Sequence, residues 1–119
     1  MNTRVSCLLE VAIQPGREAD FRALVAEIAA VTETDEPGTL TYEWSMSADG
    51  TRAHLHERYV DSSALLVHLS GFMARFAERF LPVATPIAFT IYGAPSEAVK
   101  EALASFNPVC MESVGGFSR

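Results

Sequence analysis

Asp49-Gly50 sits between two runs of alternating residues, and this constrains the fold more than any other feature of the chain. Asp-Gly flanked by alternation is the strongest short signal for a β-hairpin. It predicts a two-residue type I′ turn joining residues 39–48 to 51–60. A two-residue turn sets the register, and register decides which side chains share a face. Ala48 then stands opposite Thr51, Met46 opposite Ala53, Trp44 opposite Leu55, Tyr42 opposite Glu57 and Leu40 opposite Tyr59. That face is apolar with one acid in it. The other carries Ser47 with Arg52, Ser45 with His54, Glu43 with His56 and Thr41 with Arg58, and is polar and charged.

Before the hairpin, residues 5–13 alternate with Val5, Cys7, Leu9, Val11 and Ile13 on one face, which predicts a strand ended by Pro15-Gly16. Residues 17–34 read as a helix with an apolar stripe of Phe21, Leu24, Val25, Ile28 and Val31. Glu18 and Asp20 lie in its first turn, where the helix dipole favours acid. Glu36-Pro37-Gly38 breaks it. After the hairpin, Asp61 suits an N-cap. Leu65, His68, Leu69, Phe72, Phe76 and Phe80 mark a second buried stripe, with Gly71 as a point for a bend or break and Pro82 and Pro86 bounding the end. Residues 86–93 read as a further strand, with Ile87, Phe89 and Ile91 on one face and Ala88, Thr90 and Tyr92 on the other. Pro95 suits the first turn of a short helix running to about residue 104. The tail from Phe106 holds a fifth strand near residues 109–114, and its apolar residues predict packing on a sheet edge or a partner.

The order β-α-β-β-α-β is that of a ferredoxin-like α+β fold, with both helices on one face of an antiparallel sheet. At 119 residues the chain fits a single domain, its core over about residues 5–93 and a C-terminal helix and tail over 94–119. The opposite face stays bare, carrying Leu8, Ala12 and Tyr92 beside a polar group of His54, His56 and Glu43. A homodimer packed through Leu8, Glu10, His54, His56, Thr90 and Tyr92 is the expected cover. A net charge of −6 excludes the basic face that nucleic acid or an anionic membrane surface requires. The apolar stretches are below membrane length. Met1-Asn2-Thr3-Arg4 is not followed by a signal-type run, and Cys7 and Cys110 form no paired motif. A reducing cytoplasm is therefore expected.

Glu36-Pro37-Gly38-Thr39-Leu40-Thr41-Tyr42, then Glu57-Arg58-Tyr59-Val60-Asp61, then Ala64 and His68, resemble the antibiotic biosynthesis monooxygenase domain over roughly residues 5–93. The Pro15-Gly16 ahead of the first helix matches as well. The resemblance implies a dimeric α+β barrel, two ferredoxin-like units packed sheet to sheet. It also implies oxidation of a quinol or polycyclic phenol by molecular oxygen without flavin or metal, so no cofactor is expected. Haem-degrading relatives carry an Asn on the first strand and a Trp on the third. Here the only Asn residues are Asn2 and Asn107, and Tyr59 stands at the Trp position, which makes haem the least favoured reading. The alternative within the fold is a non-catalytic domain that binds a small aromatic ligand or dimerises.

Cofactor-free oxygenation needs a base, a hydrogen-bond donor for the oxyanion and apolar walls that exclude water. Glu57, on the helix-facing side of the hairpin, and His68, on the stripe of the second helix, are the candidate catalytic pair, expected across one cleft. The imidazole would take the proton and Glu57 would orient it. Tyr42, Trp44, Leu55, Tyr59 and Phe72 are the candidate substrate walls. The same residues would equally serve as a satisfied structural pair within a plain aromatic core. His54-x-His56 with Glu43 opposite puts two metal-ligand types on one side. An open sheet face offers no convergent third and fourth ligand, so a polar interface with Glu43 pairing His56 or Arg58 is the preferred reading and no metal is expected. Asp35-Glu36 reads as a solvated pair of loop charges, and Arg75 and Arg79 as solvated residues beside Glu78.

Overall fold

The structure is a computed structural model and describes residues 3–119. The sequence reading of Met1 and Asn2 lies outside the described residues. The elements run β1 (Val5–Ile13), α1 (Glu18–Asp35), β2 (Thr39–Met46), β3 (Arg52–Tyr59), α2 (Ser62–Arg75), α3 (Ala77–Phe80), β4 (Ala84–Gly93), α4 (Glu97–Ala102), a 3₁₀ turn (Ala104–Phe106) and β5 (Val109–Met111). They build one sheet in the order β2-β3-β1-β4-β5. The first four strands pair antiparallel and β5 pairs parallel to β4. This is the ferredoxin-like α+β architecture with a fifth strand added at one edge.

The hairpin keeps its expected register, with Met46 beside Ala53, Trp44 beside Leu55 and Tyr42 beside Glu57. Its turn differs. Type I′ requires positive φ at both central residues, and here only Gly50 has it, at 73°. Ser47 and Arg52 close a four-residue loop through Ser47 N to Arg52 O, so Ala48 and Thr51 lie in the loop rather than in the ladder. The Asp49 carboxylate shapes that loop by accepting from Thr51 N, Thr51 Oγ1 and Ser47 Oγ. Those hydrogen bonds hold its pKa down at about 2.

Two strand readings shift because of bulges. Thr39, not Leu40, stands beside Tyr59; the register slips between Thr39 and Thr41, and Leu40 is exposed. On β4, Ala88 pairs with Glu10 and Pro86 with Val11, which leaves Ile87 as the extra residue, exposed rather than facing the helices with Phe89 and Ile91. A bulge is where a strand tolerates a proline. Gly71 does not interrupt α2. The break falls after Arg75, and the stripe resumes in α3 with Phe80.

Between sheet and helices lie two apolar clusters. One gathers Val11, Phe21, Ile28, Ala53, Phe76 and Phe80 with Trp44 and Phe72 against it. The other gathers Val5, Cys7, Tyr59, Leu65, Ile91 and Val99 with Phe106 against it. The tail is tied down by Phe106, which lies 6.0 Å from Phe89 ring to ring, and by the β5 ladder. Beyond that its apolar residues are not packed within the chain, since Val114 and Phe117 are exposed.

Candidate active site

The chemistry gathers where three segments meet in the layer between sheet and helices. Glu57 comes from β3 and Tyr59 follows two positions on, so strand alternation puts both on the helix side. His68 comes from α2, whose start is fixed by Asp61 Oδ1 accepting from Ala64 N at 2.9 Å. The third segment is the turn between α1 and β2. Gly38 allows that turn to pass against α2, because a Cβ there would stand 2.7 Å from the Ala64 Cβ. Val60 N to Gly38 O and Thr39 N to Glu36 O pin it from both sides.

That turn carries a correction. Asp35 is solvent-facing and pairs with Arg75 at 3.5 Å, but Glu36 is buried beside His68. His68 Nδ1 lies 2.7 Å from Glu36 Oε1, which also accepts from Thr39 Oγ1 at 3.2 Å. With Glu36 as the acceptor, Nδ1 is the donor and Nε2 is the ring atom left to face Glu57. Nε2 stands 3.9 Å from Glu57 Oε1, too far for a direct hydrogen bond and close enough for one oxygen atom to bridge. Glu57 Oε1 accepts from the Tyr59 hydroxyl at 2.5 Å. The carboxylate that orients His68 is therefore Glu36, and Glu57 faces the imidazole across a gap.

Burial governs the electrostatics. It pushes the Glu57 pKa up from the usual carboxylate value, with the charge of His68 and the Tyr59 hydroxyl opposing it and Glu36 adding to it. Burial and then the charge of Glu57 hold both Tyr42 and Tyr59 protonated far above the ordinary phenol range. Burial does the same to the Cys7 thiol, which is thereby kept from acting as a nucleophile.

Glu57 and His68 line one cavity of about 60 Å³, together with Tyr42, Trp44, Leu55 and Phe72. The sequence-predicted site residues thus meet around a single space. Tyr42 and Tyr59 lie 5.0 and 5.9 Å from His68, ring to ring. Trp44 packs at the far end against Phe21 and Phe80. On the opposite sheet face His54 Nε2 bonds Glu10 Oε1 at 3.0 Å, rather than Glu43 taking His56 or Arg58. Among the described residues no group of three metal-ligand side chains converges, and no helix is long and apolar enough to cross a membrane. Arg79 is exposed, in keeping with its reading as a solvated residue, and holds Glu27 through two hydrogen bonds.

The pattern of the antibiotic biosynthesis monooxygenase family matches residues 4–79, more than half of the chain. The chain belongs to the antibiotic biosynthesis monooxygenase family. The match contains the Glu36 turn, the hairpin and His68, and stops before β4. Among solved structures, MupZ from Pseudomonas fluorescens is 29% identical with a TM-score of 0.88, and the likeness spans all of this chain and 91% of MupZ. Rv0793 from Mycobacterium tuberculosis is 28% identical with a TM-score of 0.61, over 80% of this chain and 98% of that one. SnoaB from Streptomyces nogalater, described as a cofactor-independent oxygenase, is 18% identical with a TM-score of 0.65, over 79% of this chain and 95% of its own. At that identity the likeness is one of fold. Of these three, only the MupZ likeness spans the whole chain, C-terminal tail included. Among curated proteins, none matches the sequence.

Proposed function

We propose that this family member abstracts a proton from the hydroxyl of a compact, largely apolar quinol or phenol, as the first step of cofactor-free oxidation by molecular oxygen. The observation that carries the reading is the 3.9 Å gap between His68 Nε2 and Glu57 Oε1, opening on an apolar-walled cavity. A substrate hydroxyl in that gap meets both groups. His68 takes its proton, Glu36 steadies the imidazolium through Nδ1, and Glu57, whose protonated form burial favours, supports the oxyanion. A deprotonated quinol is electron-rich enough to pass an electron to oxygen, and the apolar walls keep water out of the step. The cavity volume is well below the roughly 300–1,000 Å³ of pockets that hold drug-sized ligands, which supports a compact substrate over a polycyclic one. Oxygen uptake on a panel of monocyclic hydroquinones, with no added cofactor, tests this. His68→Ala should slow turnover roughly 10²–10⁴-fold. No uptake with any member of the panel, or an unaffected His68→Ala protein, would overturn it.

A second reading has its own support: the cavity sets an imidazole across from a carboxyl group whose pKa burial raises. That arrangement suits isomerisation or ring opening of one substrate without oxygen. Turnover that continues under anaerobic conditions would select it.

The assembly reading is that a second copy covers the bare sheet face, in a reducing cytoplasm where Cys7 and Cys110 remain thiols. Leu8, Thr90, Tyr92, Val109 and Met111 lie together there, with Tyr92 and Met111 half exposed or nearly so. Sedimentation at micromolar concentration should give a dimer; a monomer would remove this part of the proposal.

A further inference from the structure

One polar atom in the cavity has no partner. Trp44 Nε1 is buried and makes no hydrogen bond, the sole buried side-chain polar atom of which that is true among the described residues. A buried donor without an acceptor costs about 1–3 kcal/mol, so an orphan at a cavity wall points to a missing ligand atom. Trp44 follows Tyr42 by two positions on β2, so both face the same way, and both line the cavity. The nearest polar group is the Tyr42 hydroxyl: the indole approaches it out of good hydrogen-bond alignment, and this contact draws the phenol pKa down against the larger upward push of burial. Tyr42 in turn lies 5.0 Å from His68, ring to ring. Trp44 is thus one strand repeat, roughly 7 Å along β2, farther from the acid–base end than Tyr42.

We propose that the Trp44 N–H binds a carbonyl oxygen of the ligand, so that the site selects compact molecules with an ionisable hydroxyl at one end and a carbonyl acceptor at the other. The hydroxyl half of this statement rests on the function proposed above; the carbonyl half rests on Trp44 alone. A ring substituted at opposite ends is a compact shape that carries both groups. The Tyr42 hydroxyl, held protonated, is a second donor close to the same place. A carbonyl oxygen has two lone pairs in one plane and can take both donors at once.

The chain has a single Trp, so one indole N–H signal reports the subsite in a nitrogen–proton spectrum of the full protein. The probes are 4-hydroxyacetophenone and its isostere 4-isopropenylphenol, in which a methylene replaces the carbonyl oxygen. The indole signal should move downfield with the ketone and stay in place with the alkene, while the His68 ring signals move with both. Trp44→Phe should reduce the preference for ketone over alkene about three- to tenfold, with the His68 response retained. If the His68 signals move and the indole answers neither probe, or both equally, the carbonyl subsite is wrong and the base reading stands. If the indole answers the ketone alone and His68 answers neither, the subsite stands and the base reading falls. If neither signal responds at millimolar probe, both are overturned.

Discussion

At the Phe80 end of the layer between sheet and helices, Phe21, Trp44, Phe72 and Phe80 meet ring against ring, 5.4–6.2 Å apart in linked pairs. At the His68 end, two carboxylates, an imidazole and a phenol are buried together. Both ends rest on β3 and α2. The aromatic end gains from apolar area and dispersion and has one unpaired polar atom. The polar end must offset the desolvation of ionisable groups by hydrogen bonds, and succeeds only where the geometry is right. The comparison teaches that stability and chemistry are separated along one helix, one turn of α2 after another. The dry end holds the frame in which the polar end can be kept in an unfavourable environment.

The strongest blow to that division is at the dry end. Phe80→Ala empties a ring that is 1% exposed and should cost about 3–5 kcal/mol in chemical denaturation. If the loss is below about 1 kcal/mol, the aromatic end is not the frame. Next comes the junction. Gly38→Ala forces a Cβ to 2.7 Å from the Ala64 Cβ, so the turn or α2 must shift. A cost of about 1–3 kcal/mol is expected, with a drop in turnover beyond what the unfolded fraction explains, because Glu36 moves with the turn. Equal retention of activity per folded molecule would show that Glu36 does not position His68.

The smallest effect is the most specific. Burial raises the Glu57 pKa in the folded chain above its ordinary value of 4.5. The folded state therefore holds this proton more tightly than the unfolded one. The associated stability is fully present below the unfolded pKa, falls as pH rises through the folded pKa, and is then constant. Glu57→Gln removes that fall. Denaturation midpoints from about pH 4 to about pH 9 should therefore move in favour of the variant as pH rises. A pH-independent difference would mean that Glu57 keeps an ordinary pKa, and the contrast between the two ends would lose its electrostatic half.

The element order, the hairpin register from Tyr42 to Met46 and the opposition of Glu57 to His68 were legible because period-two and helical spacing act on every residue of an element. The misreadings have local causes. Leu40 and Ile87 leave their expected faces because each sits in a bulge, and one extra residue leaves no mark on an alternating pattern. The loop at Asp49-Gly50 took four residues instead of two because the Asp49 side chain offered its own hydrogen bonds. Glu36 was read as solvated because a charged residue ahead of Pro-Gly is ordinarily a loop residue. What buries it is Gly38 against Ala64, a contact between two segments far apart in the chain. The unpaired Trp44 N–H was out of reach for a similar reason: pattern says that an indole faces inward, not whether an acceptor awaits it.

Glu36 and His68 are 32 positions apart, and Glu57 comes from a strand between them. No contiguous peptide holds the cluster, and neither the hairpin nor α2 by itself carries a functional half of it. The cluster is therefore complete only in the closed chain, and the proposed activity should be all-or-none with it. In a refolding experiment it should reappear with the last of these three segments to dock, later than the helical and strand signals. A turnover assay on this protein would count correctly folded molecules, and a population that looks folded by its backbone alone would be seen by that assay as inert.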